Sequence, residues 1–388
     1  MSIVDWPRLA ASLNAVTDVV VVGAGIVGAS AAYFMAQSGA RVTVVERDSI
    51  GSHASGFAYG GLIPAHDAGE RSTPSSLSEL SSQLHARLAG ELREATGVDV
   101  QYRRKASVML ARNRRDLSDL RPTYDWLRAN HRGDVRWLED VEALQSIDSR
   151  LSESLAGGLY ADISAEVEPY KLTLALGQAA QKHGAMLRHG VVTGLRIEAG
   201  RLRAVIVGRE VIPAAAVVVA AGPWSGAAGD WLGLRLPISP LKGQILRLRA
   251  PGRPLEYSYW WGSDYATTKP DGLVWAGTTE ERAGFDETPT ASARDEIMSS
   301  ATDAFPFLVD AELVRQTACL RPVSSDGEPV IGNAPEIGGV VIATGAGRNG
   351  IMLGPGMGRI AAHLALGLDP PINIRNYDPG RFGSSIRN

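Results

Sequence analysis

Cysteine occurs once in this chain of 388 residues, at Cys319, so no intrachain disulfide can form. A reducing compartment, the cytoplasm, is the expected setting. Charge of one sign is also missing: 39 Lys and Arg stand against 42 Asp and Glu, for a formal net charge of -3. Nothing in that balance draws the chain to nucleic acid or to an anionic lipid surface. No apolar run reaches the length of a membrane span. The opening MSIVDWPRLAASLNAV lacks a basic end followed by an apolar stretch, so no secretory signal is expected. The histidines (His53, His66, His85, His131, His183, His189, His363) show no metal-ligand spacing, HExxH and CxxC are absent, and no metal is expected.

What remains is an ordinary globular composition, 45% hydrophobic and 21% charged, long enough for two domains. Glycine is plentiful, at 43 residues, and its placement is informative. DVVVVGAG, from Asp18, is a β-branched run entering a glycine turn. IVGASAAYFMAQSG then reads as a helix stopped at Gly39, and RVTVVER as a second strand. Strand, turn, helix and strand in that order predict two parallel strands buried on both faces.

Gly23, Gly25 and Gly28 form G-x-G-x-x-G at that turn. The first glycine permits the tight turn, the second lets backbone approach a pyrophosphate, and the third lets helix and strand pack closely. The helix start offers free N–H groups and partial positive charge to phosphates. Glu46 ends the second strand, where an acid accepts hydrogen bonds from an adenosine ribose. This fingerprint indicates a dinucleotide without separating NAD from FAD. The following GSHASGFAYGGLIP is too long and glycine-rich for a plain connection, and suits a segment lying along an extended cofactor.

Further along, LSELSSQLHARLAGELREATG and PYKLTLALGQAAQKHG read as helices, and SVMLAR, VVTGLRI and RAVIVG as short strands. AAAVVVAAGPWSG is another buried strand running into a glycine, Gly222. Residues 237–279 read as antiparallel β, with Asp271-Gly272 marking a hairpin. GGVVIATGAGRNG and IMLGPGMGRIAAHLALG repeat the opening pattern of strand, glycine turn and helix. The chain is therefore α/β, and each domain is expected to be discontinuous. Residues 15–95, 155–225 and 315–388 are assigned to a dinucleotide-binding domain. Residues 96–154 and 226–314 are assigned to the other domain, which does not carry the dinucleotide elements.

Together, GAGIVG with Glu46 and Arg47, ASGFAYGG, VVVAAGPWS, LKGQ, GTTEE, CLRPVSSDGEPVIG, GAGRNGIMLGP and YDPGRF resemble the FAD-dependent D-amino acid oxidase superfamily. The similarity is to the branch containing glycine oxidase and bacterial D-amino acid dehydrogenases, and it covers nearly the whole chain. It implies a Rossmann-like FAD-binding domain of the GR2 type. A second α+β substrate domain on a mixed, largely antiparallel sheet would lie over the flavin. It implies hydride transfer from the CH–NH bond of glycine, sarcosine or a small D-amino acid, giving an imine and then an oxo acid, with oxygen or another electron acceptor completing the cycle. Alternatives on the same scaffold are an L-proline or hydroxyproline dehydrogenase and an electron-passing flavoprotein subunit of a complex. A homo-oligomer is compatible with any of these.

The resemblance also assigns residues. Gly23, Gly25, Ile26, Val27 and Gly28 match the pyrophosphate turn, and Glu46 and Arg47 the ribose end. Ser55, Gly60 and Gly61 match the loop beside the flavin, Val192 a residue at the adenine, and Gly222 a further cofactor contact. Gly347, Arg348, Asn349, Gly350, Ile351 and Met352 match the turn under the isoalloxazine, where a helix start would stabilise negative charge on the reduced ring. Arg321 matches the arginine that holds the substrate carboxylate, work suited to a planar fork. Tyr265, or on a shifted alignment Tyr259 or Trp261, matches a tyrosine on that carboxylate. Arg348 serves either substrate or flavin turn, and Glu280 either approaches the amine or is solvated. The tyrosines and tryptophans of YSYWWGSDY suggest an aromatic wall containing Trp260 and Trp261. Cys319 sits where some amine-oxidising relatives attach flavin covalently. Non-covalent FAD is the main expectation, since those relatives lack the arginine of LRP that this chain keeps.

Overall fold

In a computed structural model, which describes residues 18–63, 75–130 and 133–383, two large sheets organise the chain. The opening residues read for a secretory signal, and His66 and His131, lie outside the described residues.

The first sheet has six strands in the order Val330–Asn333, Val340–Thr344, Ala216–Val219, Asp18–Val22, Arg41–Glu46, Met186–His189. All neighbours are parallel except the first pair, which is antiparallel. Near-continuous valine runs in its inner strands explain its burial on both faces. Val19 and Val21 enter a core with helices Ile26–Gln37, Ser76–Thr96, Pro169–Lys182 and Gly350–Ala365. Val20 and Val22 face the opposite core, under the antiparallel strands Val192–Glu198, Arg201–Val207 and Glu210–Pro213. The helices Ile26–Gln37 and Gly350–Ala365 pack through small residues, since a Cβ at Gly354 would overlap Ile26 and one at Gly358 would overlap Ser30.

The second sheet has eight strands in the order Glu312–Ser324, Ile238–Arg249, Val274–Gly277, Asp264–Thr268, Ser258–Trp261, Ser107–Ala111, Gly157–Ala161, Val135–Leu138. Gly157–Ala161 and the part of Glu312–Ser324 from residue 315 on fall in segments assigned from sequence to the dinucleotide-binding domain, yet both strands pair into this second sheet. An apolar strand carries no local mark of which sheet it joins, because pairing partners distant in sequence decide that. Here Glu312–Ser324 is bound along its length by Ile238–Arg249. The Asp271-Gly272 turn does join two antiparallel strands, with Gly272 at φ 79°.

Candidate active site

The carboxyl ends of the parallel strands converge with one face of the eight-stranded sheet around a cavity of about 530 Å³. Val22, Glu46, Ala220 and Thr344 mark the strand ends on its wall. This is where an open parallel sheet accepts a ligand.

At the glycine turn the three glycines have separate geometries. Gly23 adopts φ 98°, and a Cβ there would press on the Ala220 carbonyl. A Cβ at Gly28 would overlap the Gly23 carbonyl, and Gly28 is absent from the cavity wall. Gly25 lines the cavity, and a Cβ there would meet Ser55 Oγ at 3.2 Å and otherwise open space. Two glycines thus serve packing and the middle one leaves backbone clear for a ligand. Ser55 Oγ also accepts the Ile26 N–H at 2.9 Å. Glu46 accepts from Ala24 N–H at 2.7 Å and Asp48 N–H at 2.9 Å, and its side chain borders the cavity.

The other expected cofactor positions lie on the same wall: Ile26, Val27 and Arg47, then Ser55, Gly60 and Gly61, then Val192 and Gly222. Gly347, Arg348, Asn349, Gly350, Ile351 and Met352 line it too, at the start of helix Gly350–Ala365. Both helix starts therefore meet one space, whose wall also includes Val192 and Arg321. That is the donor set and backbone clearance an extended FAD requires, so these residues fit the group.

Sequence reasoning missed an aromatic and ionic cover near the glycine turn. Arg47 Cζ lies 3.6 Å from the Trp224 ring centroid. His53 stands between Asp48 Oδ2, at 2.8 Å, and Glu287 Oε2, at 3.0 Å. Trp224 stacks on Phe285 with centroids 5.6 Å apart. The tryptophan was visible in GPWS, but its partners are more than fifty residues away.

The substrate end is built by cross-strand register. Ile245, Gly277, Tyr265 and Trp260 form one row across four neighbouring strands. Successive side chains on a strand alternate faces, so the row points one way. Ile245, Tyr265 and Trp260 all line the cavity. A Cβ at Gly277 would stand 2.8 Å from the Tyr265 hydroxyl oxygen, so this glycine makes room for the phenol. Tyr59 stacks on Tyr265 at 4.5 Å, and Trp260 tilts against it at 5.2 Å.

Alternation also corrects the expected aromatic wall. Trp260 is on it, but Trp261 faces the other side, packs on Phe305 and donates to Ser300 Oγ at 2.9 Å. Tyr259 is likewise turned away, against Phe305, and Tyr59 replaces it on the wall. Tyr265, rather than Tyr259 or Trp261, is the aromatic of the three that borders the cavity.

Arg321 pairs in register with Leu241, and Cys319 with Gly243. The Arg321 guanidinium lies flat on Gly243, where a Cβ would overlap Cζ and both terminal nitrogens. Its Nη1 donates to Thr279 O at 3.0 Å and its Nη2 to Thr278 Oγ1 at 2.6 Å. Burial pulls Arg321 below its ordinary range, but a guanidinium stays charged there. The buried Tyr265 hydroxyl has no hydrogen-bond partner among the described residues. Burial pushes it above its ordinary range, while Arg321 and Arg348 pull it back. Arg348 Nη1 is bound to Glu280 at 2.9 Å and its Nη2 to Ser263 O at 2.5 Å. Glu280, considered for the amine, is thus engaged by Arg348. Cys319 lines the cavity, and burial pushes its thiol up. Among the described residues no cluster of His, Cys, Asp and Glu forms a metal site, and no helix is long and apolar enough to cross a membrane.

Relatives of known type share this frame. Glycine oxidase of Pseudomonas aeruginosa is 32% identical over 364 residues, 93% of this chain and 98% of its own. D-amino acid dehydrogenase of Cereibacter sphaeroides is 28% identical, over 94% of this chain and 95% of its own. The crystal structure of glycine oxidase from Geobacillus kaustophilus superposes with a TM-score of 0.88 at 30% identity, covering 94% of this chain and 99% of that one. The family model for FAD dependent oxidoreductases (DAO) matches residues 18–364, and the chain belongs to that family.

Proposed function

We propose that this enzyme oxidises the CH–NH bond of glycine or another small amino acid, with Arg321 and Tyr265 holding the substrate carboxylate. One observation carries the reading: a buried Tyr265 hydroxyl with no hydrogen-bond partner among the described residues and a half-engaged Arg321 fork share one face of the sheet, on the cavity wall. A carboxylate between them would satisfy both, and a bidentate pair would fix the direction of Cα. The positive charge of Arg321 and Arg348 favours release of the substrate's ammonium proton on binding. Glu46 is the one carboxylate residue on the described cavity wall, and it sits at the glycine turn, so no side-chain base is assigned.

Gly25, Ser55, Glu46 and the Gly347–Met352 turn would hold FAD, which would supply the two-electron acceptor for the Cα hydrogen. The two helix starts on the cavity wall would offer it N–H groups and partial positive charge. The imine product hydrolyses in water to an oxo acid. A dissociable FAD is supported by Cys319, which burial keeps as the thiol rather than the thiolate.

The test is an anaerobic panel of glycine, sarcosine, D-alanine and L-proline added to the purified protein, read as loss of the oxidised flavin absorbance. Bleaching by glycine, sarcosine or D-alanine supports the reading, and fast recovery in air with peroxide makes it an oxidase. Bleaching by L-proline alone moves it to the proline dehydrogenase type. Absence of bleaching across the panel points instead to an electron-passing subunit.

A further inference from the structure

A hydrogen-bonded chain behind Arg321 runs out of the cavity wall and through the sheet. Trp261 Nε1 donates to Ser300 Oγ at 2.9 Å, and that hydroxyl donates to Asp264 Oδ2 at 2.6 Å. The other oxygen, Asp264 Oδ1, accepts the Thr278 N–H at 3.1 Å. Thr278, buried at 5% exposure, then presents its hydroxyl oxygen to Arg321 Nη2 at 2.6 Å. The single hydroxyl proton of Thr278 faces Thr279 O at 3.4 Å, and that carbonyl also accepts Arg321 Nη1. A threonine hydroxyl has one proton and two lone pairs, so donating to Thr279 leaves a lone pair committed to the arginine.

Arginine has four rotatable side-chain bonds, and a charged fork lying on a glycine is free to turn within its own plane. Gly243 limits only the tilt of that plane. In-plane rotation is stopped by the two acceptors at one edge, Thr278 Oγ1 and Thr279 O.

We propose that Thr278 is a positioning residue. Its backbone N–H is anchored through Asp264 and Ser300 to helix Ala291–Ala304, and its hydroxyl sets the rotation of the Arg321 fork so that the free donors face the cavity. The inference rests on the reading of Arg321 as carboxylate clamp, and it adds that a threonine on the same cavity wall, tied through its backbone to groups off that wall, sets the clamp's rotation. Trp261, turned away from the cavity, belongs to this support.

The experiment uses FAD-loaded protein with acetate as probe, a carboxylate carrying no amine, titrated by its perturbation of the flavin absorbance. Four proteins are compared: unmodified, Thr278→Val, Thr278→Ser and Arg321→Ala. Valine keeps the shape of threonine without the hydroxyl, and serine restores the hydroxyl. Thr278→Val is expected to weaken acetate binding roughly ten-fold or more, the loss of a hydrogen bond to a charged group. Thr278→Ser should stay near the unmodified protein, and FAD content should be equal in all four. With glycine, the valine variant should raise KM by more than it lowers kcat. Acetate affinity within two-fold of unmodified in Thr278→Val overturns the inference, as does a serine variant as weak as the valine one. If Arg321→Ala binds acetate as the unmodified protein does, the clamp reading itself fails, and that outcome is distinct from failure of Thr278 alone.

Discussion

The Arg321 guanidinium rests on the bare Cα of Gly243, one strand away, and any side chain there would occupy the space of the fork. Gly243→Ala is therefore expected to displace Arg321 while leaving the dinucleotide end untouched. A misplacement of about an ångström in a substrate-positioning group costs on the order of 100-fold in turnover efficiency. Steady-state kinetics with glycine alongside measured FAD content should show that loss at full cofactor loading. Unchanged kinetics would mean the fork is not where the substrate binds.

Replacing the fork and the phenol should separate function from stability. Arg321→Lys keeps charge but loses planar two-point geometry, and kcat/KM is expected to fall by about 100-fold or more. Tyr265→Phe removes one hydrogen bond and should lower kcat/KM by roughly ten-fold. Because that hydroxyl is buried with no partner among the described residues, its removal should not lower the melting temperature of the substrate-free protein. A drop in melting temperature for Tyr265→Phe would show that the hydroxyl has a structural partner.

Pro355 interrupts helix Gly350–Ala365 and leaves the Ile351 carbonyl without its helical N–H donor. His85 supplies the replacement, its Nε2 lying 3.0 Å from Ile351 O and 3.1 Å from Met352 O, while Gly356 N–H reaches Ser81 Oγ at 3.0 Å. Burial lowers the His85 pKa from 6.5 to about 4, so the folded ring is neutral at pH 7. The unfolded chain binds the proton first, so this contribution is complete above pH 6.5 and is lost as pH falls towards 4. Urea unfolding should show a loss of roughly 2 kcal/mol between pH 7 and pH 5 from this group. His85→Leu should cost about 1–3 kcal/mol at pH 7 and remove that part of the pH dependence. An equal pH slope in the variant would assign the effect elsewhere.

Precipitating the protein with acid should release FAD into the supernatant, with no yellow colour retained in the pellet. Burial holds Cys319 as a thiol, whereas the thiolate is the nucleophile a covalent link requires. Flavin fluorescence remaining on the denatured chain in a gel, and lost in Cys319→Ser, would reverse this expectation.

Legibility followed the range of the interactions involved. The glycine turn, Glu46 and the Asp271-Gly272 hairpin were readable because strand, turn and helix are neighbours in the chain, and each glycine answers a local steric demand. Arg321 and Tyr265 were reached through motif resemblance, and the cavity wall includes both. Trp260 and Trp261 show where such reading stops. They are adjacent and chemically alike, and only strand alternation against known partners tells which faces the cavity. Glu280 likewise looked like a free acid until the fold brought Arg348 to it from another segment.

Composition and local pattern were enough to specify a dinucleotide turn, an alternation of buried strands with small-residue helices, and an arginine in the LRP motif. Those properties depend on contacts between residues close in sequence, or on side-chain chemistry that no fold can alter. Which sheet each lone apolar strand joined, how the Arg321 fork came to lie on Gly243, and why Thr278 holds its edge were decided by register between strands dozens of residues apart. Pairing energy is shared along whole strands, so no single residue announces its partner, and the site exists only once the pairing is complete.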